Sequence, residues 1–322
     1  MNASRPGLAS AALAALAGSD RRIVVTGASG WLGSATIELL HDALGPALRD
    51  RLHCFGSGAR TLVLRDDLLV EQRPLSEIAS LDPRPTWVLH LAFLTKDRVE
   101  GMDADAYVAA NAALSRTVLD ALDAIGAEAV FVASSGAARV ADEPGADPAM
   151  QLYGSLKKRD EADFTAWAEA RDRTVVVARV FNVSGPYINK HQAYALASFI
   201  NDALAGRPIT VRAPHRVIRG FVAIRELMSL VFALLAKQPA IHRFDTGGQD
   251  MELGEVACEV AVALGPVPVE RAAIVSERVD RYVGDGAEYD RLRAAFAIEG
   301  VPLPDQIRET ADYLVAAQRA VG

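Results

Sequence analysis

Three consecutive apolar residues, Ile23 to Val25, lead into glycines at every third position, Gly27, Gly30 and Gly33. A helical pattern follows. This predicts a short buried strand that turns through glycines into a helix running from Trp31 to Leu44 and stopping at Gly45-Pro46. A second strand is predicted at Arg51 to Phe55. Thr61 to Leu64, Asp66-Asp67 and Leu69-Val70 read as a hairpin or an irregular third strand, and Leu75 to Leu81 is amphipathic. Trp87 to Phe93 reads as another buried strand. Tyr107, Leu114, Val118, Leu122 and Ile125 recur at helical spacing and predict a helix over Asp103 to Ile125. Ala129 to Val132 is a strand followed by Ala133-Ser134-Ser135-Gly136. Ala138 to Met150, with Pro144, Gly145 and Pro148, reads as a loop, and a helix opens at Leu152 and runs to about Ala170. Strands alternating with helices predict an α/β chain built on a doubly wound parallel sheet.

Composition narrows the function classes. The chain has 322 residues, 51% hydrophobic and 23% charged, as expected of a globular protein. A net charge of −7 disfavours a general nucleic-acid binder. No apolar run approaches the ~18 residues of a membrane span. Cys54 and Cys258 form no metal-ligand spacing, and no metal site is read; both are expected to be buried thiols in a reducing compartment. Leu8 to Gly18 is alanine-rich but lacks the basic start and bulky apolar core of a signal peptide. It is expected to be an N-terminal helix or a disordered lead of a cytoplasmic enzyme.

The glycine-rich turn carries the first chemistry. It leaves bare N–H groups at the N-terminus of a helix, where the partial positive charge favours phosphate. Gly27 would allow the tight turn, Gly30 the approach of a pyrophosphate, and Gly33 close packing of helix on strand. Ser29, Trp31 and Leu32 lie in the same turn and join the candidate cofactor contacts. NAD sites commonly place an acid after the second strand. Here His53 to Arg60 contains none, and Ser57 with Arg60 could hold a 2′-phosphate, which favours NADP over NAD. The strand end at Leu91-Ala92 suits close approach to the cofactor, and His90 reads as a packed strand-end histidine. Asn111 is either a surface residue or a side chain that shapes the site by bonding backbone.

Tyr153 and Lys157 are four apart and share one helical face. An ammonium beside a phenol would lower its pKa from ~10 and make it a usable base. Ser135 could hydrogen-bond the oxygen that becomes a carbonyl.

With these pieces in order, the chain resembles the extended short-chain dehydrogenase/reductases of the NAD-dependent epimerase/dehydratase type. The resemblance rests on Thr26 to Gly33, His90-Leu91-Ala92, Asn111, Ser134-Ser135 and Tyr153 to Lys157. It continues through Arg179 to Pro186, Arg219 to Leu227 and Phe244 to Gly248, covering nearly everything from Arg22 to Tyr313. It implies Ser135, Tyr153 and Lys157 as catalytic residues, with Asn111, Tyr153 and Lys157 also at the cofactor. It implies a Rossmann-type dinucleotide domain over 22–182, with 221–249 returning to it. A smaller C-terminal substrate lobe would draw on 183–220 and 250–322, with 1–21 as a lead. The implied substrate is a nucleoside-diphosphate sugar, met by Ser135, Asn182, Asn189, Lys190, Arg212 and, matching the family's phosphate-binding arginine, Arg219. The family also implies a homodimer formed through the helices Asp103–Ile125 and Tyr153–Ala170, on which apolar residues beyond the needs of one core are expected.

Departures from the family refine this. Sugar 4,6-dehydratases resemble one another in a Thr-Asp-Glu at the catalytic turn, where this chain reads Ser135-Gly136-Ala137, so 4,6-dehydration is not expected. Ser184 stands where the family has a tyrosine. With NADP favoured, the expectation tilts to a keto-sugar reductase, with a 4-epimerase that retains its NAD as the alternative. A catalytically silent dinucleotide sensor or scaffold is the reading from another class.

Overall fold

The computed structural model describes residues 5–143 and 147–321; Pro144 and Gly145 of the predicted loop, and residues 1–4 of the lead, lie outside the described residues. Eight strands form the central sheet: β1 (Arg22–Thr26), β2 (Leu52–Gly56), β3 (Arg60–Val63), β4 (Leu69–Pro74), β5 (Thr86–His90), β6 (Ala127–Ser135), β7 (Thr174–Val180) and β12 (Ile241–Asp245). Their order is β12-β7-β6-β5-β1-β2-β4-β3. Neighbours pair in parallel except β3, which runs antiparallel to β4 at the edge. The predicted hairpin is therefore real, and it adds a strand on each side of its turn.

Alternate strand residues serve opposite faces. Ile23 and Val25 point into a core shared with Leu40 and Phe232, from helices α2 (Trp31–Leu44) and α8 (Ile224–Leu235). Val24 points into a second core with Val118 and Phe164, from α4 (Ala104–Leu122) and α6 (Pro148–Glu169). Both faces of the sheet are covered, which is why its strands read as unbroken apolar runs. A four-residue helix α3 (Leu48–Arg51) precedes β2.

Within the alanine-rich lead, Ser10–Ala17 forms helix α1. Leu8, Ala12 and Leu16 are buried in the first core. The Ala9 N–H donates to Ser229 Oγ on α8 at 2.9 Å, and Arg51 donates to the Leu16 carbonyl at 2.9 Å. Part of the predicted 138–150 loop is helical: α5 spans Ala137–Val140, and α6 begins at Pro148, capped by Asp147, rather than at Leu152.

A third core lies in the C-terminal lobe. It gathers Phe199 and Ile200 of α7 (Ala195–Leu204), Val256 and Val260 of α9 (Leu253–Leu264), and Ile307 and Leu314 of α11 (Leu303–Val321). Three small sheets accompany it: β8 (Val183–Ser184) with β11 (Val222–Ala223); β9 (Ile209–Val211) with β14 (Val269–Arg271); and β10 (Arg216–Arg219) between β13 (Met251–Glu252) and β15 (Val279–Tyr282). Helix α10 (Ala287–Ala295), expected in the lobe, packs instead on the sheet side, with Tyr289 against Phe244 at 5.5 Å.

Two expectations need correction. Cys54 is buried and its thiol is pushed up to about 12 by burial, but Cys258 is exposed on the outer face of α9. On α4 and α6, Tyr107, Val118, Leu122, Phe164 and Trp167 are buried in the monomer, and neither helix exposes a large apolar residue among the described residues. Their outer faces carry Ala109, Ala113, Ser155 and Ala166 with Arg116, Arg159 and Asp163. Among the described residues no helix is long and apolar enough to cross a membrane.

Candidate active site

The parallel strands end together beneath the lobe, the place where open α/β sheets bind ligands. At the end of β1, Gly27 has φ +69°, and a Cβ on it would lie 2.8 Å from the Ala92 backbone nitrogen. A Cβ on Gly33 would lie 2.4 Å from the Gly27 carbonyl oxygen. These contacts bring the turn, Ala92 and the first turn of α2 within backbone distance of one another. Helix α2 begins at Trp31 with Gly30 as N-cap, no side-chain cap and no acid in its first turn. Its first N–H groups are left for an anion, and the cradle fits a dinucleotide pyrophosphate.

Ser57 and Arg60 come together beyond β2, the guanidinium donating to Ser57 Oγ at 3.2 Å on an exposed surface. Leu91 and Ala92 both donate their N–H groups to Thr26 Oγ1 at 3.2 Å, which fixes the end of β5 against β1. Asn111 is buried, and its Oδ1 accepts the Leu94 N–H at 2.8 Å, so it holds the chain leaving β5. His90 is buried beside Thr26 and is a packing residue.

The catalytic candidates meet where β6 ends. Ser134 and Ser135 point to opposite faces. Ser134 donates to the buried Glu161 at 2.6 Å, while Ser135 Oγ lies 3.3 Å from the hydroxyl of Tyr282. Tyr153 reaches the same place from α6, and its ring meets Phe93 edge-on at 5.6 Å. Lys157 is buried, donates to the Ala133 carbonyl at 2.8 Å and sits 3.6 Å over the Phe93 ring.

The electrostatics differ from the expected activation of Tyr153 by Lys157. Burial holds the Tyr153 phenol above the ordinary tyrosine range, opposed by a hydrogen bond with Ser135. Lys157 spends its proton donors elsewhere, and burial lowers its amine to about 8, with Asp160 and Glu161 working against the drop.

The substrate candidates are dispersed. Asn182 donates to the Gly220 and Tyr282 carbonyls at 3.1 and 3.2 Å and pins the lobe strands at the site. Arg219 is near Tyr282, its register partner on β15, but its guanidinium is paired with Asp280 at 3.0 Å. Lys190 pairs with Asp97 and donates to Thr95 at 2.9 Å, while Asn189 is exposed. Arg212 is not brought to this group: it lines a surface pocket with Phe199, Asp202 and Arg207. Ser184, in the family's tyrosine position, donates to Gln306 of α11 at 2.6 Å.

Tyr282, Phe93 and Asp280 escaped the sequence reading. Phe93 follows the strand motif directly and could have been found there; Tyr282 and Asp280 are brought in by the pairing of β15 with β10, which no local pattern encodes.

Residues 23–247 match the model of the NAD dependent epimerase/dehydratase family. A probable UDP-glucuronate 4-epimerase of Rhizobium meliloti is 26% identical over 293 residues, 84% of this chain and 85% of that protein. A dTDP-L-rhamnose 4-epimerase of Burkholderia thailandensis is 24% identical over 296 residues, 76% and 82% of the two chains. The structure of Thermus thermophilus UDP-glucose 4-epimerase in complex with NAD superposes with a TM-score of 0.68 at 24% identity, covering 92% of this chain and 99% of that one.

Proposed function

The chain belongs to the NAD dependent epimerase/dehydratase family, and we propose that within it the protein is a nucleotide-sugar 4-epimerase that retains NAD. The observation that carries this reading is the convergence of Ser135, Tyr153 and Tyr282 at the end of β6, beside a glycine turn shaped for pyrophosphate. The names of the two curated relatives support the 4-epimerase reading over the reductase favoured by the absent acid after β2.

The backbone of Gly27 to Gly33, with Ser29, Trp31 and Leu32, would hold the pyrophosphate, and Leu91, Ala92, Asn111, Tyr153 and Lys157 would flank the nicotinamide end. A bound nicotinamide dinucleotide supplies a hydride acceptor that later returns the hydride. Ser135 donates a hydrogen bond to the reacting sugar oxygen, and Tyr153 takes its proton and gives it back. The rise in the Tyr153 pKa on burial suits the second task, holding the proton until the keto sugar is reduced. Arg219, released from Asp280, would take the substrate diphosphate through its guanidinium fork. Gly136 and Ala137 provide neither acid nor base for eliminating water. We also propose a homodimer through the outer faces of α4 and α6.

A specific observation favours the second reading, a keto-sugar reductase using NADPH: the Ser57–Arg60 contact on an acid-free β2 end. Incubation with UDP- and dTDP-hexoses and hexuronates, followed by product separation, tests the two together. Interconversion of 4-epimers without added cofactor supports the epimerase. Stoichiometric consumption of NADPH with no epimer formed would replace it with the reductase. Arg60→Ala should lower NADP affinity relative to NAD only if the second reading holds.

A further inference from the structure

Asp160 follows Lys157 by three residues on α6, so the two share a face of the helix. It is 4% exposed. A carboxylate so buried needs hydrogen bonds and a counter-charge. One oxygen accepts from Ser115 of α4 at 2.6 Å. The other, Oδ2, has no hydrogen-bond partner among the described residues; it faces His90 Nε2, equally without one, at 3.9 Å.

His90 does not provide the charge. Thr26 Oγ1 already accepts two N–H groups, so its own proton goes to His90 Nδ1, 3.2 Å away. The single ring proton is then on Nε2, and burial together with the charge of Lys157 keeps the imidazole neutral, its pKa brought down to about 3. Glu161, the next residue, is satisfied by Arg179 at 2.7 and 2.8 Å and by Ser134. Burial raises the Asp160 carboxyl, Lys157 and the Ser115 hydrogen bond oppose the rise, and Asp163 and Arg159 act on it in opposite senses from the exposed side of α6. Of the two carboxylates that act on Lys157, Asp160 is the one with no guanidinium bound to it.

We propose that Asp160, braced by Ser115, is a positioning residue for Lys157: from the same face of α6 its carboxylate keeps the buried ammonium charged. The proposal rests on Lys157 serving the chemistry above, but its test does not depend on activity. Protein labelled with 13C at lysine Cε reports the protonation of Lys157 by NMR, the signal assigned by its loss in Lys157→Met. The wild-type midpoint is expected near 8. Asp160→Asn removes the negative neighbour, destabilises the ammonium and should lower the midpoint by about one pH unit or more. Ser115→Ala should lower it less, in the same direction, and provides the measurement if Asp160→Asn does not fold. A merely structural role would alter thermal stability and leave the midpoint in place, and an unmoved midpoint in a folded variant overturns the proposal. Full turnover in Lys157→Met would overturn the catalytic reading instead, without touching this one.

Discussion

Tyr153 is a phenol that burial makes reluctant to ionise, so it can take a proton only when positive charge is brought close. The Lys157 ammonium and an oxidised nicotinamide are the two candidates. Tyr153→Phe keeps the ring against Phe93 and removes the proton carrier. Turnover should fall on the order of 100-fold or more, with KM little changed; steady-state rates on the active sugar nucleotide decide this, and a variant near the wild-type rate would show that the proton moves by another route. Ser135→Ala should cost nearly as much, because Ser134 is held by Glu161 and cannot stand in. Side chains such as Ser135, Tyr153 and Lys157 were legible because their spacing is local. Asp160 and Tyr282 were not, because each acquires its role from a partner far along the chain: Ser115, 45 residues away, and Ser135, 147 residues away.

At the level of elements, the β1–turn–α2 unit was readable almost to the residue, since apolar run, glycines and helical pattern each encode their own conformation. Gly30 has an ordinary φ of −78°, and a Cβ there would lie 3.2 Å from the Gly27 carbonyl oxygen, so a substitution asks the turn for a shift of only a few tenths of an ångström. Gly30→Asp should leave the protein folded and abolish dinucleotide binding by placing a carboxylate in phosphate space. Isothermal titration with NAD measures it, and wild-type affinity would remove the pyrophosphate from this turn. The helices α5 and α10 were harder to read. The first is a single turn, and the second is assigned to its layer by long-range contacts, among them those of Tyr289 with Phe244 and Glu226.

For the whole molecule, the alternation of strands and helices made the doubly wound sheet legible, whereas assembly was not, because it depends on what the folded monomer leaves uncovered. The outer faces of α4 and α6 present alanines and serine ringed by arginine and aspartate, a surface suited to close approach and charge pairing rather than to contact through large apolar side chains. A homodimer built there should weaken with salt. Sedimentation should give a dimer at micromolar protein and low ionic strength, with a shift toward monomer as salt rises; monomer alone under both conditions would exclude it.

The Trp31 indole donates to the Pro186 carbonyl at 2.8 Å and lies 5.2 Å from the Tyr194 ring, so one side chain of the glycine turn touches the segment that enters the lobe. The other two tryptophans, Trp87 and Trp167, are 1% and 6% exposed and packed in the first and second cores of the sheet. Trp31 is thus a built-in optical probe. Loss of its hydrogen bond and exchange of its neighbours should change the quantum yield of intrinsic emission, while the signal of the two buried indoles stays constant. Adding a nucleotide sugar to the dinucleotide-loaded enzyme is expected to change the emission in stopped-flow traces, and Trp31→Phe should abolish that phase while leaving most of the static fluorescence. If the phase survives the substitution, the movement it reports lies elsewhere.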